Sequence, residues 1–128
     1  MDLDDLLLRG IYAYGFEKPS VIQKRVIRPV IDGYDVIAQA QSGTGKTASY
    51  IIGGLQRIDV ECKHCQILVI APTRELSAGI ERVAHHLGTY VGLSTAYTGS
   101  RIPSTPLNEA QFIVGTPGSI ETYFVRII

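Results

Sequence analysis

A chain of 128 residues has room for one domain and one core, burying about two-thirds of the surface its unfolded form exposes. With 45% hydrophobic and 19% charged residues and no low-complexity tract, it excludes an intrinsically disordered protein. Lys plus Arg equals Asp plus Glu at 12 each, which excludes a globally basic surface and leaves any nucleic-acid contact to a local site.

The first stretch, "MDLDDLLLRG", is acidic and interrupted by Arg9, the reverse of a basic leader ahead of an apolar run. No stretch of about 18 consecutive apolar residues follows anywhere, so no membrane span is expected and the expected compartment is the cytoplasm, with the nucleus as alternative. Leu3, Leu6, Leu7 and Ile11 recur at helical spacing and Gly15 is a suitable stop. After Pro19, Ser20 caps a second helix with Val21, Ile22, Val26 and Val30 as its apolar face and Pro29 bending its last turn. "DVIA", Asp35 to Ala38, reads as a short buried strand. "ILVIAP" reads as another, and "ELSAGIERVAHHLG" as a helix with Leu76, Ile80, Val83, Ala84 and Leu87 inward, ended by Gly88. "GLSTAY" and "QFIVGTP" read as two more strands, the last followed by a helix that Ser119 caps, with Ile120, Phe124 and Ile127 along one side. Strands alternating with helices imply an α/β fold, a parallel sheet with helices on both faces.

The pair Cys62 and Cys65 in "CKHC" has a spacing that could serve half of a zinc site or a redox pair. Zinc would need two more ligands, for which only His64, His85 and His86 exist, and a redox pair would open a helix after a strand. Here the pair precedes a strand, and a polar connecting loop with two reduced thiols is the simpler reading.

Ligands of parallel sheets bind beyond the carboxyl ends of the strands, where "AQSGTGKT", "APTREL" and "VGTPG" all fall. The first is a phosphate loop with Ala40 in place of the first glycine. Gly43 and Gly45 let the backbone curl so that amides point at phosphate oxygens, Lys46 neutralises the outer phosphates, and Thr47 offers a hydroxyl to magnesium. Upstream, Gln23 carries both a donor and an acceptor that could pair with an adenine edge, although a glutamine on a helix is more often solvated. "PTREL" presents Thr73, Arg74 and free helix amides where a phosphate could dock, and "TPG" does the same with Thr116 and Gly118. Arg74 pairing with an acid and Thr116 capping a turn are the structural alternatives. Together on one sheet edge they favour a bound polyanion.

These strings in this order resemble the first RecA-like domain of the DEAD-box RNA helicases. "GFEKPSVIQ" looks like that family's Q motif, "AQSGTGKT" its motif I, "PTREL" its motif Ia and "TPG" the start of its motif Ib. The longer runs "LLRGIYAYGFEKPS" and "DVIAQAQSGTGKT" are similar to its translation-initiation branch and that branch's relative in the exon junction complex. The match is close to about Leu76 and looser beyond it. The resemblance implies ATP or ADP with Mg2+ held by Phe16, Lys18, Gln23, Ala40, Gln41, Ser42, Gly43, Thr44, Gly45, Lys46 and Thr47. Thr47 would meet the metal through its hydroxyl. It implies single-stranded RNA, bound without regard to sequence, along Pro72, Thr73, Arg74, Gly99, Thr116 and Gly118, and scaffold proteins of translation initiation as partners.

The departures are specific. The family carries a Gly-Gly doublet where this chain reads Thr98-Gly99-Ser100, and its motif Ib ends in arginine where this chain has Ser119. An adenine-stacking aromatic would lie just before Met1. The chain ends at "YFVRII" ahead of where Asp-Glu-Ala-Asp would stand, and Asp59, Glu61, Glu75, Glu81, Glu109 and Glu121 do not follow an apolar strand as that motif does. The expectation is a partial first helicase domain over residues 1–128, without the second domain, that binds nucleotide but does not hydrolyse ATP or unwind RNA. A non-catalytic nucleotide or RNA binder and a non-functional truncated product are the alternatives.

Overall fold

The structure is a computed structural model and describes residues 3–16, 18–41, 45–99 and 105–127. They fall into two compact units, one of Met1–Asp59 with His86–Val91, the other of Val60–His85 with Gly92–Ile128.

The first unit is helical. Helix α1 (Asp5–Tyr14) starts where Asp4 accepts hydrogen bonds from the amides of Leu6 and Leu7, and it stops at Gly15 in the left-handed conformation. Its buried face is Leu7, Gly10 and Ile11, while Leu6 lies half outside. Helix α2 (Val21–Ile31) opens with a capping box between Ser20 and Gln23. The sequence places Val21 on its apolar face, but Val21 is exposed: as the first helical residue it has no preceding turn to lie against, and Gln23, Val26 and Ile27 form the buried stripe instead. Helix α3 (Lys46–Arg57) buries Ala48, Ser49, Ile51, Ile52 and Leu55 and packs on α2, with Gly53 directly beneath Val30.

Between α2 and α3 the expected strand Asp35–Ala38 is absent. The segment forms no ladder with the described residues, and all four side chains are exposed, Ile37 completely. A β-branched apolar run becomes a strand only where a neighbour takes its N–H and C=O groups, and here none does.

The second unit is a parallel sheet with flanking helices. Strands β1 (Ile67–Ile70), β2 (Thr95–Tyr97) and β3 (Phe112–Gly115) lie in the order β1-β3-β2, both pairs parallel. Central β3 is buried throughout. In β1, Leu68 and Ile70 are exposed, so full burial of this strand is not observed. Helix α4 (Arg74–Leu87) follows β1 and buries Ile80, Ala84 and Leu87 as read from its periodicity, whereas Leu76, in its first turn, is exposed and Ser77 takes the buried position. Helix α5 (Pro117–Ile127) follows β3 directly, so Ser119 is its third residue and not its cap. Ile120 is buried against the sheet, and the side chains of Phe124 and Ile127 lie outside the described residues.

Gln111, wholly buried just before β3, ties the connecting loop down. Its Nε2 donates to the carbonyls of Val60 (2.8 Å) and Cys62 (3.1 Å), and its Oε1 accepts from the Ser94 amide (3.1 Å). That loop carries the two cysteines. Partial burial raises the pKa of the Cys65 thiol, offset in part by backbone hydrogen bonds, which disfavours the reactive thiolate. Among the described residues no group of three or more His, Cys, Asp or Glu side chains could hold a metal ion, and no helix is long and apolar enough to cross a membrane.

Candidate functional site

The start of α3 is built around one carbonyl. The Gly45 oxygen accepts from the Ser49 amide (3.1 Å), the Ser49 hydroxyl (2.9 Å) and the Gln23 Nε2 (3.5 Å). Gln23 is 4% exposed, and its Oε1 accepts from the Ser20 amide at 2.8 Å. One side-chain amide thus closes the capping box of α2 and reaches the turn that begins α3. Each of its polar atoms has capacity for one further hydrogen bond.

Gly45 sits at φ 84°, and a Cβ there would run into the Gln23 amide nitrogen, so conformation and space both require glycine. Gly45 as N-cap has no side chain with which to cap α3, and among the described residues the positive end of its dipole is left to whatever anion docks there. Lys46 is exposed and its Nζ donates to the Ala40 carbonyl at 2.6 Å. Thr47 is half-buried and hydrogen-bonded to Tyr50, whose phenol pKa is raised by burial and lowered to a lesser extent by that bond. Gln41 is exposed and Ala40 half-buried, while Ser42, Gly43 and Thr44 lie outside the described residues. Phe16, Lys18 and Gln23 line one cavity of about 70 Å³, shared with Ile11 and Ile27. An uncapped helix start with an ammonium and a hydroxyl in its first two residues fits a polyphosphate and a hydrated divalent cation.

In the second unit, Thr73 lies between β1 and α4. Its Oγ1 accepts from the Leu76 amide (3.1 Å), and its carbonyl accepts from the Ser77 amide (3.0 Å) and hydroxyl (2.9 Å). The expectation of free amides here is therefore narrowed, since the Thr73 side chain already holds one. Pro72, Thr73 and Arg74 are all exposed.

At the ends of β2 and β3 three hydroxyls converge. The Oγ atoms of Thr98 and Ser119 are 2.6 Å apart, and the Ser119 Oγ also lies 3.1 Å from the Thr116 amide, its hydroxyl and its carbonyl. Gly115 lies beneath them, and a Cβ there would overlap Thr98 Oγ1. Gly99 and Gly118 are exposed, and the Thr122 hydroxyl donates to the Gly118 carbonyl at 3.0 Å.

Sequence reasoning passed over Ser49, Tyr50 and the Thr98–Ser119 pair. Ser49, four residues after Gly45, and Tyr50, three after Thr47, have the spacing of neighbours on a helix, a signal open to inspection. No sequence spacing links Thr98 to Ser119, because the two meet only when β2 and β3 pair.

A family model described as DEAD/DEAH box helicase matches residues 20–127. The chain is 50% identical, over 98% of its length, to the ATP-dependent RNA helicase eIF4A of Aspergillus niger, and 52% identical over 98% to the ATP-dependent RNA helicase FAL1 of Vanderwaltozyma polyspora. It spans 33% of the length of each. Among solved structures, S. cerevisiae Dbp5 bound to RNA and ADP BeF3 superposes with a TM-score of 0.87 at 37% identity, over 98% of this chain and 33% of that one.

Proposed function

This chain belongs to the DEAD/DEAH box helicase family, and on that premise we propose that it is the nucleotide-binding part of an ATP-dependent RNA helicase of the initiation factor 4A type. The observation that carries the reading is the start of α3, where Gly45 in the left-handed conformation leaves the helix uncapped and Lys46 and Thr47 occupy its first turn. ATP or ADP would be held there by Gly43 to Thr47, with Gln41 and Ala40 in the loop before them. Lys46 would exchange the Ala40 carbonyl for phosphate oxygens, and Gln23 would offer its remaining donor and acceptor to adenine beside Phe16 and Lys18. Thr47 would meet Mg2+ through its hydroxyl by giving up its bond to Tyr50. When bound, the cation draws charge from the phosphate oxygens.

RNA would lie along Pro72, Thr73, Arg74, Gly99, Thr116 and Gly118, a reading supported by the RNA and ADP BeF3 bound to the similar Dbp5. Translation-initiation scaffold proteins are the partner class and the cytoplasm the site of action, by likeness to the initiation-factor relatives. We assign the 128 residues to part of a first helicase domain and no hydrolysis to them alone. Glu81, half-buried, accepts a hydrogen bond from Thr95 at 2.7 Å, and no acid stands directly after a described strand where it could serve a metal.

The test is thermal unfolding with and without millimolar Mg-ADP, beside Lys46→Ala. Ligand at about 100 times its dissociation constant adds about 2.7 kcal/mol. The parent transition is expected to rise and that of Lys46→Ala to stay in place. A parent that does not respond overturns the nucleotide reading, and ATP turnover by the parent that Lys46→Ala abolishes overturns the assignment of no hydrolysis.

A further inference from the structure

Helix α1 and the stretch 86–90 at the end of α4, both in the first unit, share a pocket of about 340 Å³ lined by Ala13, Tyr14, His86, Thr89 and Tyr90. None of them belongs to the proposed nucleotide or RNA site. Gly10 makes the pocket possible: it is buried in α1, and a Cβ there would overlap the Leu87 carbonyl, so only glycine lets the two backbones meet. That contact sets the aromatic side chains. The Tyr14 ring lies 5.1 Å from that of Phe16 and 6.1 Å from that of His86 between centroids, and the Arg9 guanidinium sits 5.7 Å from the centre of the Tyr90 ring. Tyr14 and Tyr90 are nevertheless 41% and 44% exposed, so both are ordered by neighbours and still open to a ligand.

We propose that this pocket docks a proline-rich, acidic peptide segment of a partner protein. Tyrosines supply large, rigid contact area with few torsions to freeze, and a polyproline helix is extended in advance, turning its rings to aromatic faces and its carbonyls to hydroxyl donors. Charge selects among the ligands that such rings accept. None of the described lining residues is acidic and Arg9 stands against Tyr90, which disfavours a methylated ammonium and favours glutamate or aspartate beside the prolines. A single-stranded nucleic acid calls for a groove of cations along its backbone, and the described lining residues include no lysine or arginine.

The experiment is fluorescence anisotropy of a fluorescein-labelled peptide of eight prolines flanked by two glutamates at each end, titrated with the 128-residue chain. Saturable binding is expected, and Tyr14→Ala and Tyr90→Ala are each expected to weaken it about five- to thirtyfold, as truncation of an interface anchor does. The parent is expected to prefer this peptide to one flanked by lysines, and Arg9→Gln to narrow that preference. Ala13→Gln, which adds bulk to the lining without removing a ring, serves where a tyrosine variant lacks a cooperative unfolding transition, and the same weakening is expected of it. A parent that does not bind the acidic peptide overturns the proposal, as do folded variants of the lining that bind it like the parent. Displacement of the peptide by a ten-uridine RNA whose own binding is weakened by Tyr14→Ala and Tyr90→Ala makes the pocket a base-stacking platform and overturns it as well.

Discussion

Gln23 does two things with one amide. Its Oε1 completes the capping box of α2 and its Nε2 reaches the Gly45 carbonyl, all at 4% exposure. Gln23→Ala would lose the cap's reciprocal bond and one of three donors to that carbonyl, and we expect it to cost about 1–2 kcal/mol in urea unfolding. A cost indistinguishable from zero would mean that water replaces both bonds. The pattern Ser-x-x-Gln is a capping signature readable from the sequence. The reach to Gly45 is not, because it spans 22 residues and depends on how α2 lies against α3. Tyr50 carries a pH dependence. Burial raises its folded pKa above the ordinary value of 10.0, so its contribution to stability is complete below that pH and is lost as pH rises through the raised folded value. Tyr50→Phe should therefore lose less stability than the parent as pH rises above 10.0. Identical alkaline profiles of the two proteins would contradict this.

At the scale of elements, helices were legible wherever periodicity and caps agreed. Helix α1 (Asp5–Tyr14) stops at Gly15, α2 (Val21–Ile31) is capped by Ser20, and α4 buries Ile80, Ala84 and Leu87 at the spacing read from the sequence. Errors fell at first turns, where Val21 and Leu76 continue an apolar stripe in sequence but have no underlying turn to pack on. The close packing of α2 on α3 rests on Gly53. A Cβ there would stand 2.7 Å from Val30 Cγ1 and 2.8 Å from its Cβ, well inside contact distance. Gly53→Ala should force the helices apart and cost about 1–3 kcal/mol by chemical denaturation, despite the gain in helix propensity. A stabilised variant would show that the Val30 side chain yields easily. The strand expected at Asp35–Ala38 failed for a different reason. Strand propensity describes a side chain on a pleated, half-buried surface, and these residues have no ladder neighbour among those described.

For the molecule as a whole, β1 is an edge of the three-stranded sheet among the described residues, with Leu68 and Ile70 exposed. An open apolar edge is a template for pairing with another chain. We expect the 128-residue chain to self-associate with rising concentration in sedimentation experiments, and Ile70→Lys to reduce that association. Equal association of the two proteins would locate the contact elsewhere. The same edge shows where sequence reading stops. Composition, motif order and periodicity were enough to specify an α/β chain and its family membership, because local chemistry writes these into consecutive residues. Glycine at 45, lysine at 46 and threonine at 47 have their meaning in a run of three. What only the tertiary structure decided is which strands find neighbours, which hydroxyls meet, and which amide reaches which carbonyl. Thr98 and Ser119 have no spacing in sequence that links them and become a pair through the parallel register of β2 on β3 and the turn into α5. Ile37 and Ile70 look like core residues and are exposed, because burial belongs to the partner a strand acquires and not to the strand.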